Sequence, residues 1–342
     1  MSVSVIICSH NGEARISPTL EALARCEASF PVEIILVDNN SSDGMVESAQ
    51  AVWERVDGPF ELRIISERRL GKCFAQRAGT LGAKHEIVIF CDDDNWLFTD
   101  YLTIASEILS DPKVGAVGGQ AEPVFEVPPP ALIYSHGRWS ALGIQALWSG
   151  DVTDSFALWG AGLAVRRTDL LTIYRCPGLP VLTGPSGALS SARGDDTELC
   201  WALTVLGKRI MYDDRLKLRH FMPRERLHID YFRKRQAEGV DWDAGIRRFL
   251  AGLDLIHRSG RVRPAVKSAF RCLRHWNWPE ERRFQASLFL AACGWKSRMR
   301  EVDRNLYTAF HWLQSAGRSE LREREKNGIE FVGKELANSP AS

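Results

Sequence analysis

Three consecutive carboxylates, Asp92, Asp93 and Asp94, directly follow an apolar run, Ile87–Cys91. An apolar run bounded by a polar cluster is typical of a buried strand. The acids then lie at the carboxyl end of that strand, where open α/β sheets bind their ligands. Because three adjacent carboxylates repel one another, a bound cation stabilises them. The sequence therefore predicts a divalent metal ion here, which in turn holds a diphosphate.

A second acidic pair, Asp195 and Asp196, begins a predicted helix that runs to about Leu206. Carboxylates at a helix N-terminus interact favourably with the positive end of the helix dipole. The pair is therefore explained either as a helix cap or as acids positioned for chemistry, and one residue can serve both purposes.

Strands that alternate with helices must position these acids. Apolar runs predict strands at Val3–Cys8, Val32–Val37, Leu62–Ile65, Glu86–Cys91 and Val114–Val117, with helical patterns between them. This alternation predicts right-handed crossovers and a mostly parallel sheet. Polar residues gather after the first, second and fourth strands, so one edge of the sheet is the candidate site. Ser17 and Pro18 predict the start of the first helix.

Composition excludes several other classes of protein. The 342 residues are 45% hydrophobic and 25% charged, as in ordinary globular proteins. The eight cysteines are scattered without a CxxC pair, so we expect reduced core residues and no disulfide or zinc framework. No apolar stretch reaches the roughly 18 residues of a transmembrane helix. The N-terminus enters a strand pattern at once, which predicts no signal peptide and a cytoplasmic protein.

The ordered motifs resemble family 2 glycosyltransferases of the GT-A fold. They are VSVIICSHNG, VDNNSSD, GKCFAQRAG, FCDDDN, WGAGLAVRR and GDDTEL, and the resemblance covers roughly residues 1–235. It implies an α/β architecture with a single Rossmann-like, mostly parallel sheet flanked by helices. It also implies a nucleotide-diphosphate sugar donor, Mn²⁺ or Mg²⁺, and inversion at the anomeric carbon.

The resemblance also implies roles for individual residues. Asp94 is the expected metal ligand, with Asp92 and His220 beside it, and Asp196 is the expected base that deprotonates the acceptor. Asp195 and Gly160 are the expected acceptor contacts. The nucleotide and donor contacts are expected to be Ser9, His10, Asn11, Glu13, Asp38, Arg77, Asp92, Asp93 and Trp159.

Structural explanations compete with several of these roles. Asp38 equally suits an Asx-turn, Arg77 a helix surface and Trp159 the core. His220 at the end of a strand is as readily a structural histidine. Arg226 and Arg233 are seven residues apart, so on a helix they would share a face and bind phosphate.

The charge distribution divides the chain. Residues 240–300 contain 13 Lys and Arg against 5 Asp and Glu. We expect a catalytic domain at 1–235 (nucleotide half about 1–119, acceptor half about 120–235), a basic helical extension at 236–314 and a flexible charged tail at 315–342. The basic segment, which also contains Trp residues, would dock on an anionic membrane, pack on the catalytic domain or pair with a second subunit. No nucleic-acid-binding module is recognisable.

These observations favour a metal-dependent inverting transferase. It would move a sugar, UDP-linked, to a hydroxyl of a cell-surface glycan or its lipid-linked precursor at the inner membrane face. One alternative is a nucleotidyltransferase, which usually has a Gly-rich basic loop after the first strand. Another is a non-catalytic scaffold, which would be expected to lack the acidic cluster.

Overall fold

In the computed structural model, nine strands within the described residues form one sheet. The structure describes residues 1–131, 133–134, 137–153, 158–177, 179, 194–231, 260, 262–274, 279–299 and 301–337. The strands are β1 (Val3–Ser9), β2 (Val32–Asp38), β3 (Glu61–Ser66), β4 (Ile87–Asp92), β5 (Asn95–Leu97), β6 (Val114–Phe125), β7 (Gly150–Asp151), β8 (Ala164–Arg166) and β9 (Arg209–Met222).

Helices connect and flank these strands. They are α1 (Glu13–Ala24), α2 (Met45–Arg55), α3 (Lys72–Gly82), α4 (Tyr101–Ile108), α5 (Arg167–Arg175), α6 (Asp195–Val205), α7 (Val262–Arg274), α8 (Pro279–Ala292) and α9 (Glu301–Ala337). Within the described residues, no helix is long and apolar enough to cross a bilayer. All eight cysteines are free thiols, as their scatter predicts.

The sheet brings the predicted polar edge together. Its order is β3-β2-β1-β4-β8-β6-β9-β5, with β7 paired to β9. The first four strands are parallel, and their register sets Ser9 opposite Asp38 and Cys8 opposite Asp92. Antiparallel pairs enter at β8, β7 and β5, which makes the second half of the sheet mixed. The carboxyl ends of β1, β2 and β4 therefore meet at one edge.

Alternating side chains of the parallel strands build a core on each face of the sheet. Val5 and Ile7 of β1 point to the layer of α1, α2 and α4. Ile6, between them, points to the layer that contains α3, α5, α6 and α9. Burying each such aliphatic side chain stabilises the fold by roughly 1.5–3 kcal/mol. The strand periodicity of two thus produces a three-layer α/β/α architecture.

Two predicted boundaries are wrong for local reasons. Helix α1 begins at Glu13, four residues before Ser17, because the carbonyl of Gly12 already accepts from the amides of Arg15 and Ile16. Pro18 therefore lies inside the helix. Strand β6 continues to Phe125, beyond its predicted end at Val117, because β9 pairs with it along most of its length.

The C-terminal helix packs on α6 and the residues after it beyond the expected boundary at residue 315. Helix α9 crosses that position, and a β-carbon on Gly317 would lie only 2.3 Å from the carbonyl oxygen of Leu206. Buried Lys208 binds Glu320 of α9 at 2.9 Å and Asp169 of α5 at 3.2 Å. Residues 315–320 therefore belong to the packed body, and no element ends at the predicted start of the tail.

Gly317→Ala tests this contact because helix propensity predicts a more stable protein and the packing predicts a less stable one. In an open helix, replacing glycine by alanine stabilises by about 1 kcal/mol. Because the new β-carbon would overlap the Leu206 carbonyl, we expect a loss of about 1–3 kcal/mol in the free energy of unfolding, measured in urea. Ser319→Ala, on the exposed side of the same helix, should change it by less than about 0.5 kcal/mol. A gain in stability for Gly317→Ala would contradict the packing.

Candidate functional site

The acidic cluster is a tight turn between two strands. Asp92 ends β4, Asp93 and Asp94 form the turn, and Asn95 begins β5. The Asn95 side chain closes the turn: its oxygen accepts from the Asp92 amide at 3.3 Å and its nitrogen donates to Asp94 Oδ1 at 3.0 Å. The chain therefore does not continue as a strand with Asp92 and Asp94 on one face. Instead, each carboxylate binds a different basic side chain.

Asp93 is bound entirely by protein groups. It accepts from Ser9 Oγ at 2.5 Å and from Arg15 Nε and Nη2 at 3.1 and 2.9 Å. Gly12 permits this approach, because a β-carbon there would lie 2.4 Å from Asp93 Oδ2. Burial raises the pKa of Asp93 even though Arg15 opposes the rise. Asp93 therefore links the acidic turn to the end of β1 through Ser9 and to α1 through Arg15, and the role of Asp93 and Ser9 as donor contacts stays a prediction.

Asp94 lies buried between two basic side chains. Arg226 Nη1 is 2.8 Å from Oδ2, and His220 Nε2 is 3.6 Å from Oδ1. Burial opposes ionisation, yet the charges of His220 and Arg226 hold the pKa of Asp94 well below its usual range. Pairing of β5 with β9 sets Asn95 opposite His220 and so brings Asp94 and His220 together, as the sequence predicted.

Asp92 binds Lys72, the first residue of α3, at 2.6 Å. Burial alone would lower the pKa of Lys72, but Asp92 and Asp195 raise it above its ordinary value. A β-carbon on Gly160 would lie 3.6 Å from Lys72 Nζ and 3.6 Å from Asp196 Cβ. Lys72 therefore joins the acidic turn to the second acidic pair across the Gly160 backbone.

Asp196 is a carboxylate fixed by backbone amides. The Gly160 amide donates to its Oδ2 at 3.1 Å, and the Thr197 amide donates to its Oδ1 at 2.8 Å. Burial, reinforced by the charge of Asp195, raises the pKa of Asp196 to about 6, whereas Lys72 opposes the rise. A positioned carboxylate with a pKa near 6 suits a general base. Burial likewise raises the pKa of Asp195.

Polar side chains that follow β1 or end β2 accept hydrogen bonds from backbone amides of the loop after β2. Asp38 Oδ1 accepts from the Ser41 amide at 2.9 Å, a turn contact that spans three residues, whereas an Asx-turn would bond the amide two residues on. Asn11 Oδ1 accepts from the Ser42 amide at 2.8 Å, and Glu13 Oε2 accepts from the Gly44 amide at 3.2 Å. These contacts fix the shape of the edge, while nucleotide binding by Asp38, Asn11 and Glu13 stays a prediction.

Three other predicted site residues differ in their surroundings. His10 Nδ1 lies 3.0 Å from the Asn39 carbonyl oxygen, at the same edge. Half-buried Trp159 packs against the core while its amide donates to Gln145 Oε1 at 2.5 Å. Half-buried Arg77 makes no hydrogen bond or ion pair within the described part of the chain. The structure does not bring Arg77 into the polar network of the site.

Sequence reasoning missed the cations of the site. Arg15 was assigned no role there, and Lys72, like Arg77, was left between a nucleotide contact and a helix-surface residue, although a lysine beginning α3 opposes the helix dipole and so favours an anionic neighbour. Arg226 was predicted to share a helix face with Arg233. It lies instead in a 3₁₀ turn, Arg224–Arg226, and Arg233 lies outside the described residues.

The donor set of Asp94 and His220 fits a divalent metal ion. The Nδ1 of His220 lies 3.2 Å from the Ala141 carbonyl oxygen, and a hydrogen bond from Nδ1 leaves Nε2 facing Asp94. Metal-binding histidines are commonly oriented in this way. Within the described residues no group of three His, Cys, Asp or Glu side chains converges as a ready metal site. If a metal binds here, Asp94 and His220 would be ligands, and substrate and water would complete the coordination.

Comparison with known sequences identifies the N-terminal half. Residues 4–170 match the family model described as Glycosyl transferase family 2. The chain is 35% identical over 97 residues to the uncharacterized glycosyltransferase YfnE and 29% identical over 100 residues to EpsH, both from Bacillus subtilis (strain 168). These matches span 28–29% of this chain and 23–28% of those proteins, about a quarter of their length.

Solved structures share the fold at low sequence identity. The mannosyltransferase PcManGT from Pyrobaculum calidifontis, in complex with GDP-Man and Mn²⁺, has a TM-score of 0.52 at 20% identity, over 93% of this chain and 86% of that one. S. aureus TarS 1–349 in complex with UDP-GlcNAc has a TM-score of 0.50 at 14% identity, over 94% and 92%. Residues 4–170 are thus similar to glycosyl transferase family 2, and the sheet of the chain shares the GT-A architecture of these solved structures.

Proposed function

We propose that the protein transfers a sugar from a nucleotide-diphosphate donor, UDP-linked, to a hydroxyl of a cell-surface glycan or its lipid-linked precursor, with inversion. The observation that carries this proposal is the arrangement around Lys72. On one side lies the acidic turn with Asp94 and His220, and on the other lies Asp196, anchored by the Gly160 amide. A displacement at a sugar carbon needs a leaving-group site and a base on opposite sides.

The ligands of the solved relatives support the donor class. PcManGT was crystallised with GDP-Man and Mn²⁺, and TarS with UDP-GlcNAc. Both ligands are sugars joined to a nucleoside diphosphate, although their bases differ. The choice of UDP here rests on Asp38, because a carboxylate at the end of β2 accepts a hydrogen bond from the uracil N–H.

The proposed reaction is one in-line displacement. Asp196 takes the proton of the acceptor hydroxyl as that oxygen bonds to the anomeric carbon. The bond from this carbon to the diphosphate breaks, and the diphosphate leaves with the electron pair. A divalent metal, Mn²⁺ or Mg²⁺, held by Asp94 and His220 with Asp92 nearby, would neutralise charge on the diphosphate. Lys72 forms an ion pair with Asp92, and its charge opposes the rise in the pKa of Asp195.

Removing the base tests the mechanism most directly. Asp196→Asn keeps the shape of the side chain but cannot take a proton, so we expect kcat to fall roughly 10²–10⁴-fold. Transfer is measured as UDP released and product formed with the true acceptor. Asp100→Asn replaces an exposed acid that precedes α4 and should retain full activity. Full transfer by Asp196→Asn would show that Asp196 is not the base.

The pH dependence provides a second test. Because burial and Asp195 raise the pKa of Asp196 to about 6, the base is increasingly protonated below that pH. We expect kcat/KM to rise with pH through an apparent pKa near 6 and to level off above pH 7. The residual activity of Asp196→Asn should not fall in this way below pH 6. If it still falls with the same apparent pKa, the group that titrates is not Asp196.

Metal removal tests the role of Asp94. In a thermal-shift assay with UDP, we expect stabilisation in the presence of Mn²⁺ that EDTA abolishes. Asp94→Asn weakens the metal ligand and should lose the Mn²⁺-dependent shift, whereas Asp100→Asn should keep it. Circular dichroism of the metal-free variant controls for folding, since Arg226 loses its partner. A UDP shift that is unaffected by EDTA would contradict the assignment, and a shift with nucleoside triphosphates alone would favour a nucleotidyltransferase.

A further inference from the structure

Helix α7 packs through a narrow face of small residues. Pro264 and Ser268 are buried, and Ala265, Ala269 and Cys272 beside them are half-buried. The Cys272 thiol lies 3.6 Å from the Arg282 carbonyl oxygen of α8, so the two helices pack closely here. Helix α8 in turn packs on α9 through Leu288 and Ala291. This face therefore fixes α7 on the body of the protein.

A second face of α7 is apolar and exposed. It consists of Val262, Val266, Phe270 and Leu273, with exposed fractions of 77%, 65%, 70% and 69%. Their spacing of four, four and three residues places them in one row along the helix. A soluble protein seldom exposes a contiguous row of large apolar side chains unless that surface binds something. We call these four residues the apolar row.

A basic row lies directly beside the apolar row. It consists of Arg263, Lys267, Arg271 and Arg274, all of them exposed. Helix α7 contains no acidic residue, and none of the four forms an ion pair within the described part of the chain. The helix therefore presents adjacent apolar and cationic surfaces.

We propose that α7 docks in the plane of an anionic membrane surface. The apolar row would enter the boundary between headgroups and acyl chains, while the basic row binds lipid phosphates. Charge complementarity selects this occupant. A second copy of the chain, paired through the same face, would bring two basic rows together and repel. The inference is independent of the proposed transfer chemistry.

Vesicle co-sedimentation of the full chain tests this proposal. Vesicles of phosphatidylcholine alone are compared with vesicles that also contain phosphatidylglycerol. We expect at least about tenfold stronger partitioning to the anionic vesicles, and weaker partitioning as salt is added. Equal partitioning to both compositions, or binding to neither, would overturn the proposal.

Paired variants separate the two rows. The double variant Phe270→Ser/Leu273→Ser should reduce partitioning about tenfold, because it removes half of the apolar row. Lys267→Gln/Arg271→Gln should remove most of the preference for anionic lipid.

Leu81→Ser, which replaces an apolar residue of α3 that is 57% exposed, is the control and should leave both properties unchanged. The replaced side chains are all exposed, so thermal midpoints should be retained. If Phe270→Ser/Leu273→Ser instead converted a dimer to a monomer and still bound vesicles normally, the apolar row would be a contact between two copies of the chain and the proposal would be wrong.

Discussion

The site depends on the pairing of three adjacent carboxylates with four basic side chains. Asp92 binds Lys72, Asp93 binds Arg15, and Asp94 binds Arg226 and His220. Each basic side chain comes from a different element, so the turn is the point where α1, α3, β9 and the 3₁₀ turn after β9 converge. Because breaking a buried ion pair leaves an uncompensated charge, these elements are held in register by electrostatics as well as by packing.

The fold was predictable where sequence periodicity is local and strong. The parallel strands, their order of appearance and the polar edge follow from apolar runs such as Ile87–Cys91. The second half of the sheet was not predictable in detail. Its strands pair across long sequence separations, as Asn95 does with His220, and no local pattern encodes such a register.

The sequence predicted which acids form the candidate site, but not which basic side chains bind them. The acids stand out because acids seldom occur together without a cation, and Asp94 and His220 were expected to meet. The cations do not stand out, because 44 Lys and Arg residues are spread through the chain and most lie on surfaces. The different partners of Asp92 and Asp94 were not predictable either, because they follow from the tight turn that the side chain of Asn95 closes.

The packing of α9 has a consequence for synthesis. Helix α6, which carries Asp196 at its start, meets Gly317 of α9 at its other end, and Leu313 of α9 lies in the same core. A nascent chain that has emerged only as far as α8 lacks this support. The parallel strands β1, β2, β3 and β4, by contrast, all lie before residue 100 in the chain and leave the ribosome earlier. We infer that α6 settles last, so that a ribosome-bound chain would form its parallel strands before Asp196 reaches its final position.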